Sequence, residues 1–315
     1  MKAVIVDPNH AGELIIGNAS PPRPGHTEAL VRVRAFSLNR GEVRMTRAPR
    51  PNWRPGWDVS GIVEKAAADG SGPAVGTRVV GFLRAGGWAE QASVPTNALA
   101  EIPANVTFAQ ASTLPVAGLT AYHALYKGGL LLGKNILVTG ASGGVGEFAI
   151  QLGRLSGAVV TAYVRRPEQE TAARQAGAEN VVIGETPADA KAYGPFSLII
   201  DSIGGAVLGA AMGLVEEGTK IVSLGTSGGH SVTFNAEKFY SVGLASLYGL
   251  ILIDELNTVE SADIGLRRLA KFVGAGKLIP RISLEADWSE VHVVAQKLLD
   301  RAYPGKAVLT IGENL

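Results

Sequence analysis

The sequence predicts an α/β protein in two parts. The first is a set of short, irregular β-strands, and the second alternates strand and helix around a doubly wound parallel sheet. Three observations predict it. A chain of 315 residues, 46% of them apolar, has the length and the apolar content for two packed cores. Forty residues are glycine, well above the usual ~7%, with no Gly-X-Y period, so they serve turns and close backbone approaches. Near residue 108 the pattern changes from strands punctuated by Pro and Gly to a regular strand–helix alternation.

In chain order, the first hundred residues offer strands at Ala3–Val6, Leu14–Ile16, Ala29–Ala35, Gly61–Glu64 and Arg78–Phe82. Ala29–Ala35 alternates Leu30, Arg32 and Arg34 against Val31, Val33 and Ala35, so one side of it is solvated. Arg44–Pro55, rich in arginine and proline, reads as an irregular loop. Phe108–Leu114 and Val116–Tyr126 are helical on either side of Pro115. The alternation then runs through strand Asn135–Thr139, helix Gly144–Ser156, strand Val159–Val164, helix Pro167–Ala176 and strand Asn180–Ile183. It continues with strand Ser197–Asp201, helix Ala206–Leu214 and strand Lys220–Leu224. Helices near Ala262–Ala275 and Trp288–Arg301 precede a last strand, Ala307–Ile311, which is expected to return to the first sheet.

Composition excludes several chemistries. With no cysteine there are no disulfides, thiolate zinc sites, iron–sulfur clusters or cysteine nucleophiles. The five histidines (10, 26, 123, 230, 292) are scattered without ligand spacing, and His123 reads as a packed or capping residue. Lys+Arg of 29 against Asp+Glu of 28 argues against nucleic-acid binding through bulk positive charge. The opening residues read as a strand, and the longest apolar stretch, Leu244–Ile253, is about half a membrane span. A cytoplasmic protein with no membrane partner is the expectation.

The strongest motif is Ile136-Leu-Val-Thr-Gly-Ala-Ser-Gly-Gly-Val-Gly146: a buried strand, a small-residue turn, then a helix. Such a turn lets the backbone approach a pyrophosphate, and the helix start offers free N–H groups and the positive end of its dipole. Ala141 replaces the first glycine of G-x-G-x-x-G, so the motif is a variant, and its alternative is a plain tight turn. The next strand ends in Arg165-Arg166-Pro167, where NAD-binding domains carry a carboxylate for the ribose 2′-OH. Arginine suits a 2′-phosphate, which favours NADPH; the alternative is that both arginines solvate a loop.

These motifs, with Ser37-Leu-Asn39, Gly56-Trp-Asp-Val-Ser-Gly61, Val75-Gly-Thr-Arg-Val79, Gly86-Gly-Trp-Ala-Glu90, Leu114-Pro-Val-Ala-Gly-Leu-Thr-Ala-Tyr122, Asp201-Ser-Ile-Gly-Gly205 and Gly305-Lys-Ala-Val308, stand in one order along the chain. In that order the sequence resembles the medium-chain dehydrogenase/reductase superfamily, in its zinc-independent quinone oxidoreductase branch. The resemblance implies a GroES-like irregular β-barrel catalytic domain over residues 1–107 and 254–315, and a Rossmann domain over 108–253. Zinc relatives place a Cys in the segment matching Ser37–Arg40 and a His-Glu pair in the one matching Gly56–Gly61. Here Trp57-Asp58 stands in place of that pair, so no metal is expected.

The resemblance further implies cofactor contacts at Thr120, Ser142, Gly143, Gly144 and Val145, with Arg165 and Arg166 at the 2′-phosphate. Ser202, Gly204, Leu224 and Gly225 match residues lining the nicotinamide ribose and ring, and Tyr248 and Leu250 match a segment beside it. Asp201 alone could be a strand-end cap. Asn39 is the one catalytic candidate: its amide would hold a substrate carbonyl or the cofactor ribose, and a turn cap is the alternative. Arg40 and Glu42 would orient that site or pair on the surface. The tyrosine many relatives carry between the Asn39 and Gly56 positions is missing, leaving only Trp53 and Trp57. The implied activity is NADPH-dependent reduction of a quinone or of the activated C=C of an enone or enoyl substrate. A zinc-independent carbonyl reductase and a catalytically silent NADPH-binding protein are the alternatives. Substrate choice would fall to Met45–Trp53, Phe82–Trp88 and Leu250–Asn257, and a homodimer would join through Gly243–Ile253.

Overall fold

The structure is a computed structural model and describes residues 1–7, 10, 12–48 and 53–312. It divides into two compact units, Met1–Leu119 with Leu256–Leu315, and Thr120–Glu255. Against the expected boundary at 107/108, Phe108–Leu119 lies with the first unit, because Phe108 and Ala109 pack on Ala35 and Val308.

The first unit opens with β1 (Lys2–Val6) and β2 (Leu14–Asn18), an antiparallel pair. Next come β3 (Glu28–Ser37), helix α1 (Arg40–Met45), β4 (Asp58–Lys65), β5 (Arg78–Phe82), β6 (Gln91–Pro95), β7 (Leu99–Glu101) and α2 (Phe108–Ser112). The ten-residue β3 is the hub. Its early residues pair with β6, and register shifts at Leu30/Val31 and Val33/Ala35 carry it along β4. Val31, Val33, Phe36, Val59 and Trp88 fill the interior, with Phe36 and Trp88 stacked at 5.4 Å. Arg32 is exposed on the opposite side of β3, as the alternation predicts. Pro115 does not simply separate two helices: Leu114–Gly118 forms a wide π-type turn that leads into α3 (Leu119–Tyr126).

The second unit is a six-stranded, all-parallel sheet. Its elements are β8 (Asn135–Val138), α4 (Gly144–Leu155), β9 (Val159–Val164), α5 (Glu170–Gln175), β10 (Asn180–Ile183), β11 (Leu198–Asp201), α6 (Gly205–Met212), β12 (Lys220–Ser223), α7 (Ala236–Ser241), β13 (Ser246–Gly249) and α8 (Leu252–Thr258). The strand order is β10-β9-β8-β11-β12-β13, two mononucleotide-binding halves side by side. Leu137, Tyr163, Ile199 and Ile221 pack against Val207, Leu208 and Met212 of α6. β13 lay unrecognised inside the apolar stretch; it is the sheet's edge strand, with all four residues exposed.

The chain closes the first unit with α9 (Ala262–Gly274), β14 (Ile282–Asp287), α10 (Val291–Leu299) and β15 (Lys306–Thr310). β15 pairs with β3 through Val308 and Ser37, as expected for the last strand, and also with β14 in parallel. Among the described residues no helix is long and apolar enough to cross a membrane.

Candidate functional site

At the end of β8, Gly140 to Gly143 turn the chain into α4. Gly143 is the N-cap in extended conformation and makes no side-chain cap, and the first bond of the helix runs from Glu147 N to Gly143 O at 3.0 Å. The N–H groups of Gly144, Val145 and Gly146 therefore have no intrahelical acceptor. Gly143 is exposed and Gly144 and Val145 half-buried, so a ligand can reach the turn. A Cβ on Gly146 would lie 2.3 Å from Gly140 O, so this glycine is required for the helix to sit against the turn. The backbone thus fits a pyrophosphate.

Arg165 and Arg166 are both exposed after β9. Arg166 Nε lies 3.2 Å from Glu168 Oε1, an exposed pair of little energetic weight. Gln169 joins this end to the glycine turn. Its Oε1 accepts from the Arg165 and Arg166 N–H groups at 3.2 and 3.1 Å, and its Nε2 donates to Ser142 Oγ at 2.9 Å. Sequence reasoning missed Gln169, although Pro167 followed by Gln two residues later is a readable helix-start signature.

Ser202, Gly204, Leu224 and Gly225 meet at the carboxyl ends of β11 and β12, the side of a parallel sheet where ligands bind. Asp201 is buried and accepts from Thr139 Oγ1 at 2.5 Å and Gly204 N at 2.8 Å, so it does cap the strand end. Burial pushes its carboxyl up, against those two hydrogen bonds. Gly204 has φ +71°, and a Cβ there would lie 2.6 Å from Gly229 O. Leu224 N donates to Asp201 O, and a Cβ on Gly225 would lie 2.7 Å from Ser202 O. Thr120 is buried on α3, and Leu250 is buried with its N–H on Ser223 O. Tyr248 joins a separate cluster: its hydroxyl donates to Glu255 at 2.5 Å, and Lys127 Nζ sits 2.7 Å from the same carboxylate and over the Tyr248 ring. Burial raises the Glu255 pKa, but the Lys127 and Tyr248 hydrogen bonds outweigh it and hold the carboxyl below its ordinary value. His123 packs beside this carboxylate at 3.6 Å, a packed histidine as expected.

In the first unit the candidate residues close a buried network. Asp58 Oδ2 accepts from Ser37 Oγ (2.5 Å), Asn39 Nδ2 (2.7 Å) and Lys306 Nζ (3.3 Å), and Oδ1 accepts from Val116 N (2.9 Å) in the wide turn. Lys306 Nζ also donates to Leu38 O (2.9 Å) and Asn39 Oδ1 (2.6 Å). Glu42 Oε1 accepts from Asn39 N and Nδ2, and Oε2 accepts from Trp57 N, all at 2.8–2.9 Å. Ser37, Glu42 and Asp58 are fully buried and Lys306 is 4% exposed. Burial above all, then the nearby Asp58, pushes the Glu42 carboxyl up to about 8 against the pull of Lys306.

This geometry corrects the reading of Asn39. Both N–H bonds of its amide are spent, on Glu42 and Asp58, so none remains for a substrate carbonyl; Oδ1 keeps one lone pair for a hydroxyl donor. Asn39 occupies the N-cap position of α1, but its side chain makes no cap hydrogen bond and is spent on Glu42, Asp58 and Lys306; the Glu42 carboxylate accepts from its main-chain N–H instead. Arg40 and Glu42 do not pair on the surface. Arg40 donates to the α10 carbonyls of Leu298 (2.7 Å) and Leu299 (3.1 Å). One grouping escaped the sequence reading: Asp7, His10 and Glu13 lie together on the surface, with His10 Nδ1 3.0 Å from Asp7 Oδ2. The hydrogen bond to Asp7 raises the His10 pKa. Of the loop Met45–Trp53, residues 49–52 lie outside the described residues.

Comparison with known proteins agrees with this architecture. The family described as alcohol dehydrogenase GroES-like domain matches residues 25–104, and zinc-binding dehydrogenase matches 144–264. The chain is 30% identical over 308 residues to the chloroplast envelope quinone oxidoreductase homolog of Arabidopsis thaliana, covering 91% of each. It is 34% identical over 214 residues to the spectinabilin polyketide synthase system protein NorB of Streptomyces orinoci, covering 66% of this chain but spanning only 10% of that protein. A probable oxidoreductase from Mycobacterium abscessus has the same fold, with a TM-score of 0.85, 27% identity and 99% of each chain covered. Motif order, strand order and a full-length relative converge, and the chain belongs to the medium-chain dehydrogenase/reductase superfamily, in its quinone oxidoreductase-like branch.

Proposed function

We propose that this chain is an NADPH-dependent reductase of a quinone, or of the activated C=C of an enone or enoyl substrate, that works without zinc. One observation carries the zinc-free part. In the two segments where zinc relatives present ligands, Ser37, Asn39 and Asp58 spend their polar atoms on Lys306, Val116 and one another. A metal ion there would have to displace a buried lysine and break four hydrogen bonds.

A nicotinamide cofactor bound here would supply a hydride. The α4 N–H groups of Gly144 and Val145 would hold its pyrophosphate, Arg165 and Arg166 its 2′-phosphate, and Ser202, Gly204, Leu224 and Gly225 would bound the ribose and ring. For an enone, the hydride adds to the β-carbon and one proton adds to the α-carbon, giving the saturated ketone. Asn39 has no N–H to give and the usual tyrosine is missing, so the α-proton comes from water. The name of the Arabidopsis relative supports the quinone arm. A homodimer fits as well: edge strand β13 is exposed along its length, beside Leu244 (82% exposed) and Ile251 (62% exposed).

A panel of quinones and enones, read at the nicotinamide absorbance with NADPH and NADH, tests the reading, with product analysis of one α,β-unsaturated ketone. Saturated ketone is expected; allylic alcohol would favour carbonyl reduction. Tight NADPH binding with no oxidation across the panel would favour a silent binding protein. A purified sample should carry no stoichiometric zinc and keep its activity with chelators; one tightly bound zinc per chain would overturn the zinc-free reading.

A further inference from the structure

Among the described residues of 40–57 and 82–88, five arginines (40, 44, 47, 54 and 84) stand with a single carboxylate, Glu42, which is fully buried. Two of them are committed to α10: Arg40 to its last carbonyls, and Arg47 to Gln296 Oε1 at 3.0 Å. The main-chain segments that carry Arg54 and Arg84 are held side by side by a ladder of hydrogen bonds. Gly86 N donates to Arg54 O, Gly87 N to Gly56 O, Trp88 N to Pro55 O and Leu83 N to Trp57 O, all within 2.8–3.3 Å. A Cβ on Gly56 would lie 2.2 Å from Trp88 N, so the two segments touch backbone to backbone. Trp57 ties the ladder to the buried network: its indole donates to Arg84 O at 3.0 Å and its main-chain N–H to Glu42.

Arg54 is in an unusual state. Its Nη1 is shielded from water and has no hydrogen-bond partner among the described residues, while Nη2 lies toward the half-buried Gly86. A buried guanidinium N–H without an acceptor is costly, and an oxyanion satisfies it best. The Arg84 side chain is exposed on the partner segment. These segments adjoin or belong to the loops to which the sequence assigns substrate choice.

We propose that Arg54 and Arg84 receive an oxyanion carried by the substrate, a carboxylate or a phosphate set apart from the reducible double bond. The preferred substrates are then acidic enones or enoyl compounds rather than neutral quinones. This inference rests on the reductase reading above and narrows its substrate class.

Three enones sharing one carbon skeleton test it: one ending in a carboxylate, one in a phosphate and one in a methyl ester. With wild type at low salt, kcat/KM is expected to be about ten- to hundredfold higher for a charged enone than for the ester. The larger of the two charged values identifies the oxyanion. In Arg54→Gln/Arg84→Gln the charged-to-ester ratio should fall to near one, with NADPH affinity and the urea midpoint retained. Added salt should shrink the wild-type ratio. Equal kcat/KM for all three enones in wild type would overturn the arginine assignment and leave the reductase reading standing. If no enone is oxidised against NADPH, the reductase reading falls instead. Calorimetric titration of the carboxylate and the ester then decides the anion site by itself: tighter binding of the carboxylate, lost in the double variant, sustains it, and equal binding overturns it.

Discussion

In the first unit, Ser37, Asn39, Glu42, Asp58 and Lys306 spend their polar atoms on one another in the interior. In the second, the turn before α4 works through what it lacks: side chains at Gly143 and Gly146, and a cap on the helix start. One arrangement is made of buried charge and the other of exposed main chain. Damage to the first should therefore register as lost stability, and damage to the second as lost binding in a protein that stays folded.

The largest effect is expected at Lys306. Lys306→Met would leave Asp58 buried without its cation, costing about 3–5 kcal/mol. Urea unfolding measures it, and an unchanged midpoint would mean that the network is not what holds β3, β4 and β15 together.

The same network should impose a pH dependence. Glu42 titrates near 8 in the folded state and near its ordinary 4.5 when unfolded. Between these values the folded protein binds the extra proton, so stability falls as pH rises from about 5 to 8 and levels off above. The slope is at most about 1.4 kcal/mol per pH unit. Urea midpoints across that range check it, and Glu42→Gln should flatten the curve.

In the second unit, Gly144→Asp sets a carboxylate against the expected pyrophosphate. It should weaken NADPH by more than about a hundredfold while moving the urea midpoint little. A fall in stability with cofactor affinity preserved would reverse the comparison. A smaller effect is expected from Arg165→Ala/Arg166→Ala, about ten- to hundredfold on NADPH and nearly none on NADH, shrinking with salt. If wild type binds NADH as well as NADPH, the two arginines are a solvated turn.

The contrast also explains which features were legible in the sequence. β8, the turn and α4 are contiguous, so composition and spacing reveal them within a dozen residues, and β9 and β10 were placed to the residue. The first-unit network joins Asp58 to Lys306 across 248 positions. No local pattern encodes that pairing, and only motif resemblance put both residues among the segments of interest. Asn39 shows the limit on the chemistry. Its place near the network was readable, but the exhaustion of its N–H groups depends on where Glu42 and Asp58 point. β14 is a different kind of miss: Ile282, Leu284 and Ala286 alternate with Ser283, Glu285 and Asp287, a two-residue period available in the sequence. β13 was hidden because its Leu247 and Tyr248 lie in a longer apolar run that carries no such alternation.

Gln169 grips Arg165 and Arg166 by their main-chain N–H groups, leaving both side chains outside the joint. The loop's shape is thereby independent of which residues occupy the two positions. On the proposed 2′-phosphate role of the arginines, a descendant that exchanged them for an acidic residue and a neutral one would turn from one nicotinamide to the other. The socket itself would not need rebuilding, so cofactor preference is free to drift on a fixed scaffold.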